Sequence, residues 1–308
     1  MSETINLSIV ILSYNTKDIL KNCLQSLYSK LGSISYEVIV IDNNSKDGSR
    51  EYLYKIMENR RDTHCFFMNE NLGFGRANNF GVKKCRGKYV LLLNSDTIIK
   101  NDVINKVLGW MKKNPSYAVA SSNLYNLDGT VQGTGGYFPT LIRVFSWMTI
   151  QDFPFVDLLI KPFHPMRSNS FFKGLSFYRS ERDLDWVTGA FLMIPRTVFE
   201  DVGGFDEDFF MYMEEVELCY RVKRKGWKVK YLPYEGVVHL GGASGTVGAS
   251  VLREFDGVKL FYKKHCPKWQ YPVLRLFFKI GCLWRIPVMG LLKGKGAAKT
   301  YAKALVEA

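Results

Sequence analysis

Asp96 closes an apolar run, Leu91-Leu92-Leu93-Asn94-Ser95-Asp96, and a carboxylate in such a place can hold a divalent cation. Mg2+ and Mn2+ favour oxygen ligands and keep waters or phosphate oxygens in their shell, so a diphosphate can complete the set. Asn-Ser-Asp is also an ordinary helix cap, and Asp96 therefore needs a second signal. It comes from 206–217, Asp-Glu-Asp-Phe-Phe-Met-Tyr-Met-Glu-Glu-Val-Glu, where six carboxylates are interleaved with aromatic and methionine side chains. Apolar shielding raises a carboxylate's proton affinity and suits it to general-base work. Acids favouring a helix dipole account for Glu214, Glu215 and Glu217, but not for the run Phe209 to Met213 before them. His239 follows Val237-Val238 and precedes Leu240-Gly241-Gly242-Ala243-Ser244-Gly245. It can ligate the same cation, or be a satisfied core or surface histidine. The glycines let backbone approach phosphates closely.

The elements that must position these residues are legible from their apolar patterns. Runs at 7–12, 37–41, 64–68, 89–93 and 117–120, rich in Val, Ile and Leu, predict buried strands. Helical spacing joins Ile19, Leu20, Cys23, Leu24, Leu27 and Tyr28, and further helices are expected over 49–58, 74–84 and 102–113. Strands alternating with helices imply a mostly parallel sheet covered on both faces, with ligands beyond the carboxyl ends of its strands. Those ends carry Ser13-Tyr14-Asn15, then Asp42-Asn43-Asn44-Ser45, then Asn71-Leu72-Gly73, then Asn94-Ser95-Asp96. Turn chemistry explains any one of these clusters; four in succession point to one polar ligand. From 137 to 183 the alternation breaks, and four prolines (Pro139, Pro154, Pro162, Pro165) exclude one long helix, as in a lid or acceptor-binding segment. A strand over 185–194, a short helix over 196–202 and a helix around 214–225 follow.

The chain has 308 residues and a net charge of +13, most of it gathered after Ser250, where twelve Lys and Arg face three acids. A basic, apolar tail fits an anionic membrane surface better than nucleic acid. Residues 273–291 are apolar but interrupted by Arg275, Lys279 and Arg285, read as one charged side facing away from Leu274, Phe277 and Phe278, with Pro287 breaking the helix. That reads as an interfacial helix rather than a spanning one; the other reading packs it on the catalytic domain. Six scattered cysteines without a C-x-x-C pair fit buried thiols in a reducing compartment, and the N-terminus lacks the features of a signal peptide, so a cytoplasmic location is expected.

Taken in order, these segments resemble the family 2 glycosyltransferases, inverting enzymes of the GT-A fold, and within them the rhamnosyltransferase-like branch. The resemblance rests on Ser13-Tyr14-Asn15, Val38 to Gly48, Asn71 to Asn79, Leu91 to Asp96, Trp186 to Ala190 and Gly203 to Glu217, and spans about residues 5–245. It implies a Rossmann-like catalytic domain over 1–249, with a mostly parallel central sheet flanked by helices; beyond it, the charge pattern gives a basic amphipathic helical tail over 250–308. Asp42 would accept from the donor's base, with Ser13, Tyr14, Asn15, Asn44, Asn71, Gly73, Asn78, Asn94 and Ser95 around the nucleotide. Asp96 and His239 would hold Mg2+ or Mn2+; Trp186, Gly189 and Glu214 would shape the sugar and acceptor site; Glu215 would be the general base. Two departures stand out: an Asp-x-Asp signature reduced to Asn94-Ser95-Asp96, and a Glu-Asp pair replaced by Glu214-Glu215, which leaves open which acid is the base.

The implied reaction moves a sugar, rhamnose first and from deoxythymidine diphosphate, to a hydroxyl of a polyprenyl-linked saccharide for cell-surface polysaccharide. Uridine-diphosphate sugars remain open as donors. The rival readings are a nucleotidyltransferase and a non-catalytic sugar- or nucleotide-binding protein.

Overall fold

A computed structural model describes residues 5–151, 153, 156–165, 177–241 and 247–308. Strands β1 (Leu7–Ser13), β2 (Tyr36–Asp42), β3 (Thr63–Phe67) and β4 (Tyr89–Asn94) alternate with helices α1 (Lys17–Tyr28), α2 (Ser49–Asn59) and α3 (Gly73–Val82). Next come β5 (Thr97–Ile99), α4 (Val103–Lys113), β6 (Tyr117–Ser121), β7 (Leu124–Tyr125), β8 (Gly135–Gly136), α5 (Leu141–Met148) and α6 (Val156–Leu159). Beyond them lie β9 (Arg182–Leu184), β10 (Trp186–Val187), β11 (Phe191–Pro195), α7 (Arg196–Asp201), α8 (Glu214–Arg224), β12 (Lys228–Tyr231) and β13 (Val237–His239). The C-terminal helices are α9 (Val247–His265), α10 (Gln270–Lys293) and α11 (Lys295–Glu307).

Eight strands form the main sheet in the order β3-β2-β1-β4-β11-β6-β12-β9. β3, β2, β1 and β4 are parallel, whereas β11 runs antiparallel to both β4 and β6. Chain order reverses between β1 and β4, and such a switch point opens a crevice beyond the strand ends. Ser13 and Asn94 stand at its rim. A small sheet, β5-β13-β7, caps this end, and β10 pairs with β8 apart from the main sheet.

Side chains alternate across a strand, and each strand feeds two cores. Ile9, Ile11, Val38, Val40, Leu91 and Leu93 pack with α1, α2 and α4. Val10, Ile39, Ile41 and Leu92 face a larger core that takes in α3, α5, α7 and α8, and also Phe255, Val258 and Tyr262 of α9, Leu274 and Phe278 of α10, and Tyr301 of α11.

Three expectations change. The strand read over 185–194 is two strands in different sheets, because Thr188-Gly189-Ala190 turns the chain between β10 and β11. Pro287 does not break α10: it lies inside the helix, on the exposed side with Leu283, the residue whose carbonyl it leaves without a helical donor. Arg285 does not share a side with Arg275 and Lys279. Eleven residues make about three turns, so Arg285 falls in line with Leu274. It is 4% exposed and donates to the carbonyls of Met148 and Trp147 and to the Tyr301 hydroxyl.

Candidate active site

Asp42, the last residue of β2, is fully buried. Its Oδ2 accepts from the Ser45 amide at 3.2 Å and from Arg50 Nε at 3.1 Å, while Oδ1 has no partner. Leaving a buried acceptor unmade costs about 1–3 kcal/mol, and the imide N–H of a uracil or thymine ring is the kind of donor that satisfies it. Around it, Asn15 and Asn44 hold left-handed backbone at φ 53° and 70°. Asn15 ties the loop after β1 to the loop after β2: its amide donates to Ser45 Oγ and its Oδ1 accepts from the Lys46 amide. Lys46 Nζ donates to Asn44 Oδ1, and Tyr14 is half-buried beside Asn15.

Several expected donor residues are occupied in building this rim. Ser13, Thr16 and Ser95 form a buried hydroxyl chain that joins the ends of β1 and β4, with steps of 2.9 and 3.3 Å. Asn43 donates to Asn71 Oδ1 and accepts from the Leu72 amide, while Asn78 donates to the Phe74 carbonyl within its own helix. Gly73 has φ +76°, and a Cβ there would stand 2.4 Å from the Phe210 carbonyl oxygen. Gly189 leaves room for the Phe74 ring, which its Cβ would meet at 2.9 Å.

The pairing of β13 with β5 sets His239 opposite Thr97 and brings its ring to Asp96. His239 Nε2 lies 3.2 Å from Asp96 Oδ1 and 3.3 Å from Asn94 Nδ2. Gln132 gives its Nε2 hydrogens to Asn126 Oδ1 and the His239 carbonyl, so its Oε1 can only accept, and His239 Nδ1 donates to it at 2.8 Å. With Nδ1 committed to Gln132, Nε2 is the ring nitrogen turned toward the Asp96 carboxylate. An imidazole nitrogen and a carboxylate oxygen this close can share a cation, and a backing hydrogen bond on the far nitrogen is usual for a metal-bound histidine. No group of three or more His, Cys, Asp or Glu side chains suited to a metal occurs among the described residues, so phosphate oxygens and water would have to complete the shell.

α8 begins with Glu214 and Glu215, and the two residues before it, Tyr212 and Met213, both adopt left-handed backbone at φ 69° and 74°. Such conformations cost of order 1–3 kcal/mol each and persist where the surroundings enforce them. Among the described residues, the non-glycine residues with positive φ are Asn15 and Asn44, in the loops after β1 and β2, and Tyr212 and Met213 here. Burial pushes the Glu215 carboxyl up to about 7 and drives Glu214 well above the ordinary carboxylate range, where the Glu215 charge adds to the effect. One oxygen of each carboxylate is buried without a partner, as is Trp186 Nε1 on β10, which packs against α8. Carboxylates that accept and an indole N–H that donates match the two needs of a sugar hydroxyl.

The profile of Glycosyl transferase family 2 matches residues 8–202, which include the ends of β1, β2 and β4. The chain belongs to this family. A low-salt glycan biosynthesis hexosyltransferase, Agl10, of Haloferax volcanii is 26% identical over 76% of this chain and 67% of its own length. The N-acetylglucosaminyl-diphospho-decaprenol L-rhamnosyltransferase of Mycobacterium tuberculosis is 27% identical over 76% and 75%, and rhamnosyltransferase WbbL of Escherichia coli is 27% identical over 75% and 82%. Among solved structures, a Pyrobaculum calidifontis mannosyltransferase in complex with GDP-Man and Mn2+ superposes with a TM-score of 0.56 at 14% identity, covering 99% of this chain and 75% of that one. GalNAc-T7, with UDP, GalNAc and Mn2+, gives 0.61 at 16%, covering 99% and 55%. The fold is thus GT-A, and the chain is a transferase of sugars in glycan synthesis.

Two residues of this transferase's site carry no motif of their own. Arg50 reaches Asp42 only because the loop over 43–48 returns the first turn of α2 to the end of β2, and Gln132 reaches His239 only through the small capping sheet. The glycine loop expected at the phosphates lies, over residues 242–246, outside the described residues. No described helix is long and apolar enough to cross a membrane.

Proposed function

We propose that this transferase moves rhamnose from a deoxythymidine-diphosphate donor, with inversion, to a hydroxyl of a polyprenyl-diphosphate-linked saccharide. The observation that carries the reading is the pairing of Asp96 with His239 at 3.2 Å beyond the end of β4 in a chain of this family; the unmet buried acceptor of Asp42 and the raised proton affinity of Glu215 support it. The relatives named as rhamnosyltransferases support the sugar, and the one named for a decaprenol-linked saccharide supports the acceptor class. Asp42 receives the base of the nucleotide. Glu215 takes the proton of the acceptor hydroxyl as that oxygen attacks the anomeric carbon, and the bond from that carbon to the diphosphate oxygen breaks on the opposite face. Glu214 and Trp186 hold the acceptor. A Mg2+ or Mn2+ ion held by Asp96 and His239 would offset the charge that develops on the departing diphosphate.

Purified protein with Mn2+ or Mg2+, a panel of nucleotide sugars and a short-chain polyprenyl-diphosphate N-acetylglucosamine tests this. The expected result is one nucleoside diphosphate and one extended glycolipid, found by mass spectrometry. Pyrophosphate release would identify a nucleotidyltransferase instead, and tight binding without turnover of any donor a non-catalytic protein.

An acceptor of that class would put the enzyme at a membrane, on its cytoplasmic face in our reading. The surface available for this is not the one the sequence pattern indicates. Leu274 and Phe278 are buried in the protein, whereas Leu276, Ile280, Leu283, Trp284 and Leu291 form a second, exposed apolar stripe along α10. Arg275, Lys279 and Lys293 are exposed on the same helix, which suits a stripe set into an anionic lipid surface.

A further inference from the structure

Glu254 lies on α9, beyond the stretch matched by the family, and its Oε1 is 2.6 Å from His164 Nε2. His164 belongs to the chain just after α6, and its ring sits among three others: Phe163 at 4.0 Å between centroids, Trp186 at 5.3 Å and Trp147 at 5.5 Å. The same face of α9, one turn on, presses on the entry to α8. A Cβ at Gly257 would stand 2.7 Å from Met213 Cγ and 3.0 Å from the Tyr212 carbonyl oxygen, so only glycine lets the two elements meet. Glu254 is thereby fixed between the 156–165 segment and the start of the helix that bears Glu215.

We propose that Glu254, in contact with His164, is a positioning residue for the transfer reaction, holding a second negative charge toward Glu215 so that Glu215 is a stronger base. The proposal rests on the reading of Glu215 as the base. After burial, the Glu254 charge is among the influences that raise the Glu215 carboxyl. Among the described residues, the groups facing this position include Glu214 and Cys219 on α8, Arg253 on α9 and the Tyr212 hydroxyl, which itself feels Glu254, Arg253 and Glu214. Arg253 is engaged elsewhere, with its guanidinium 5.3 Å from the centre of the Phe210 ring and donating to Met211 Sδ. A like charge nearby disfavours ionisation, and a base of higher proton affinity drives proton removal harder once ionised.

The test titrates Glu215 itself, in the full chain and without substrate, by carbon-13 NMR of labelled glutamate side chains, with Glu215→Gln assigning the signal. Glu254→Gln should lower the Glu215 midpoint by about 0.5 to 1 pH unit, the size expected for one partly screened charge. Glu254→Asp, which keeps the charge, should restore most of it. His164→Leu should change the midpoint in the wild-type background and have no effect once Glu254→Gln is present, because the two act as a unit. An unmoved midpoint in Glu254→Gln overturns the proposal, and so does an aspartate variant no different from the glutamine one. Failure of Glu215 as the base is read separately, by transfer that survives in Glu215→Gln.

Discussion

Gln132 Oε1 accepts from His239 Nδ1 at 2.8 Å, and that bond settles which imidazole nitrogen faces Asp96. Replacing Gln132 by Leu frees the ring to turn and to swap tautomers. Mn2+ affinity, measured by electron paramagnetic resonance in the presence of thymidine diphosphate, should fall about 10–100-fold, the usual effect of losing such a backing group. Unchanged Mn2+ affinity would remove His239 from the metal site.

Glu215→Gln should lower transfer by about 10²–10⁴-fold while nucleotide binding persists. In wild type, activity should rise with pH through about 7, because only the ionised carboxylate can take a proton.

The same group links stability to pH. A carboxyl near 4.5 in the unfolded chain and about 7 in the fold binds more protons when folded, so its charge destabilises the protein increasingly between those values and fully above them. Glu215→Gln should therefore melt higher than wild type at pH 8, by on the order of 3 kcal/mol, and show no such gain at pH 4.5. Equal melting gains at both values would contradict the raised proton affinity.

Gly73 and Gly203 share a left-handed backbone, at φ +76° and +84°, but only Gly73 has another chain segment against it. Gly203→Ala meets nothing within 4 Å and should cost about 1–2 kcal/mol from backbone strain alone. Gly73→Ala also drives a methyl into the Phe210 carbonyl, and should cost clearly more in a denaturant titration and weaken donor binding. Equal costs would mean that the loop before α8 can move away from α3.

The two apolar faces of α10 are separable. Replacing Leu283 and Trp284 together by Asp should abolish flotation with anionic vesicles at unchanged melting temperature, since both side chains are exposed. Arg285→Met should do the reverse. It leaves two buried carbonyls and the Tyr301 hydroxyl without their donor, at a cost of about 3 kcal/mol or more, and retains the lipid-facing stripe. Undiminished vesicle binding by the double Asp variant would leave the membrane reading of α10 without support.

The strands that frame the crevice announce themselves, because a parallel strand buried on both faces must be apolar at every position, as Val38 to Ile41 and Leu91 to Leu93 are. β5 and β13 do not: three residues carry no period, so the pairing that delivers His239 to Asp96 is invisible before the chain folds. Asp42, Asp96 and Glu215 stand out as acids at the edges of apolar runs. Ser13, Asn71 and Asn78 look the same in sequence as groups that touch a ligand, yet Ser13 and Asn71 bond within the loops of the rim and Asn78 bonds within its own helix. Gln132, His164 and Glu254 have no local signal, since each matters only through a partner remote in sequence. The tail misleads for a geometric reason: Arg275 and Lys279 suggest one charged side, and the three-turn spacing that returns Arg285 to the Leu274 face is easily overlooked.

The packing of α9 on the entry to α8 also orders events while the protein is being made. A ribosome releases the chain from its N-terminus, so β1 to β4 can pair and form the Asp42 pocket long before Glu254 and Gly257 emerge. For that interval the loops after β1 and β2 stand in place while the entry to α8 still lacks the helix that packs against Tyr212 and Met213.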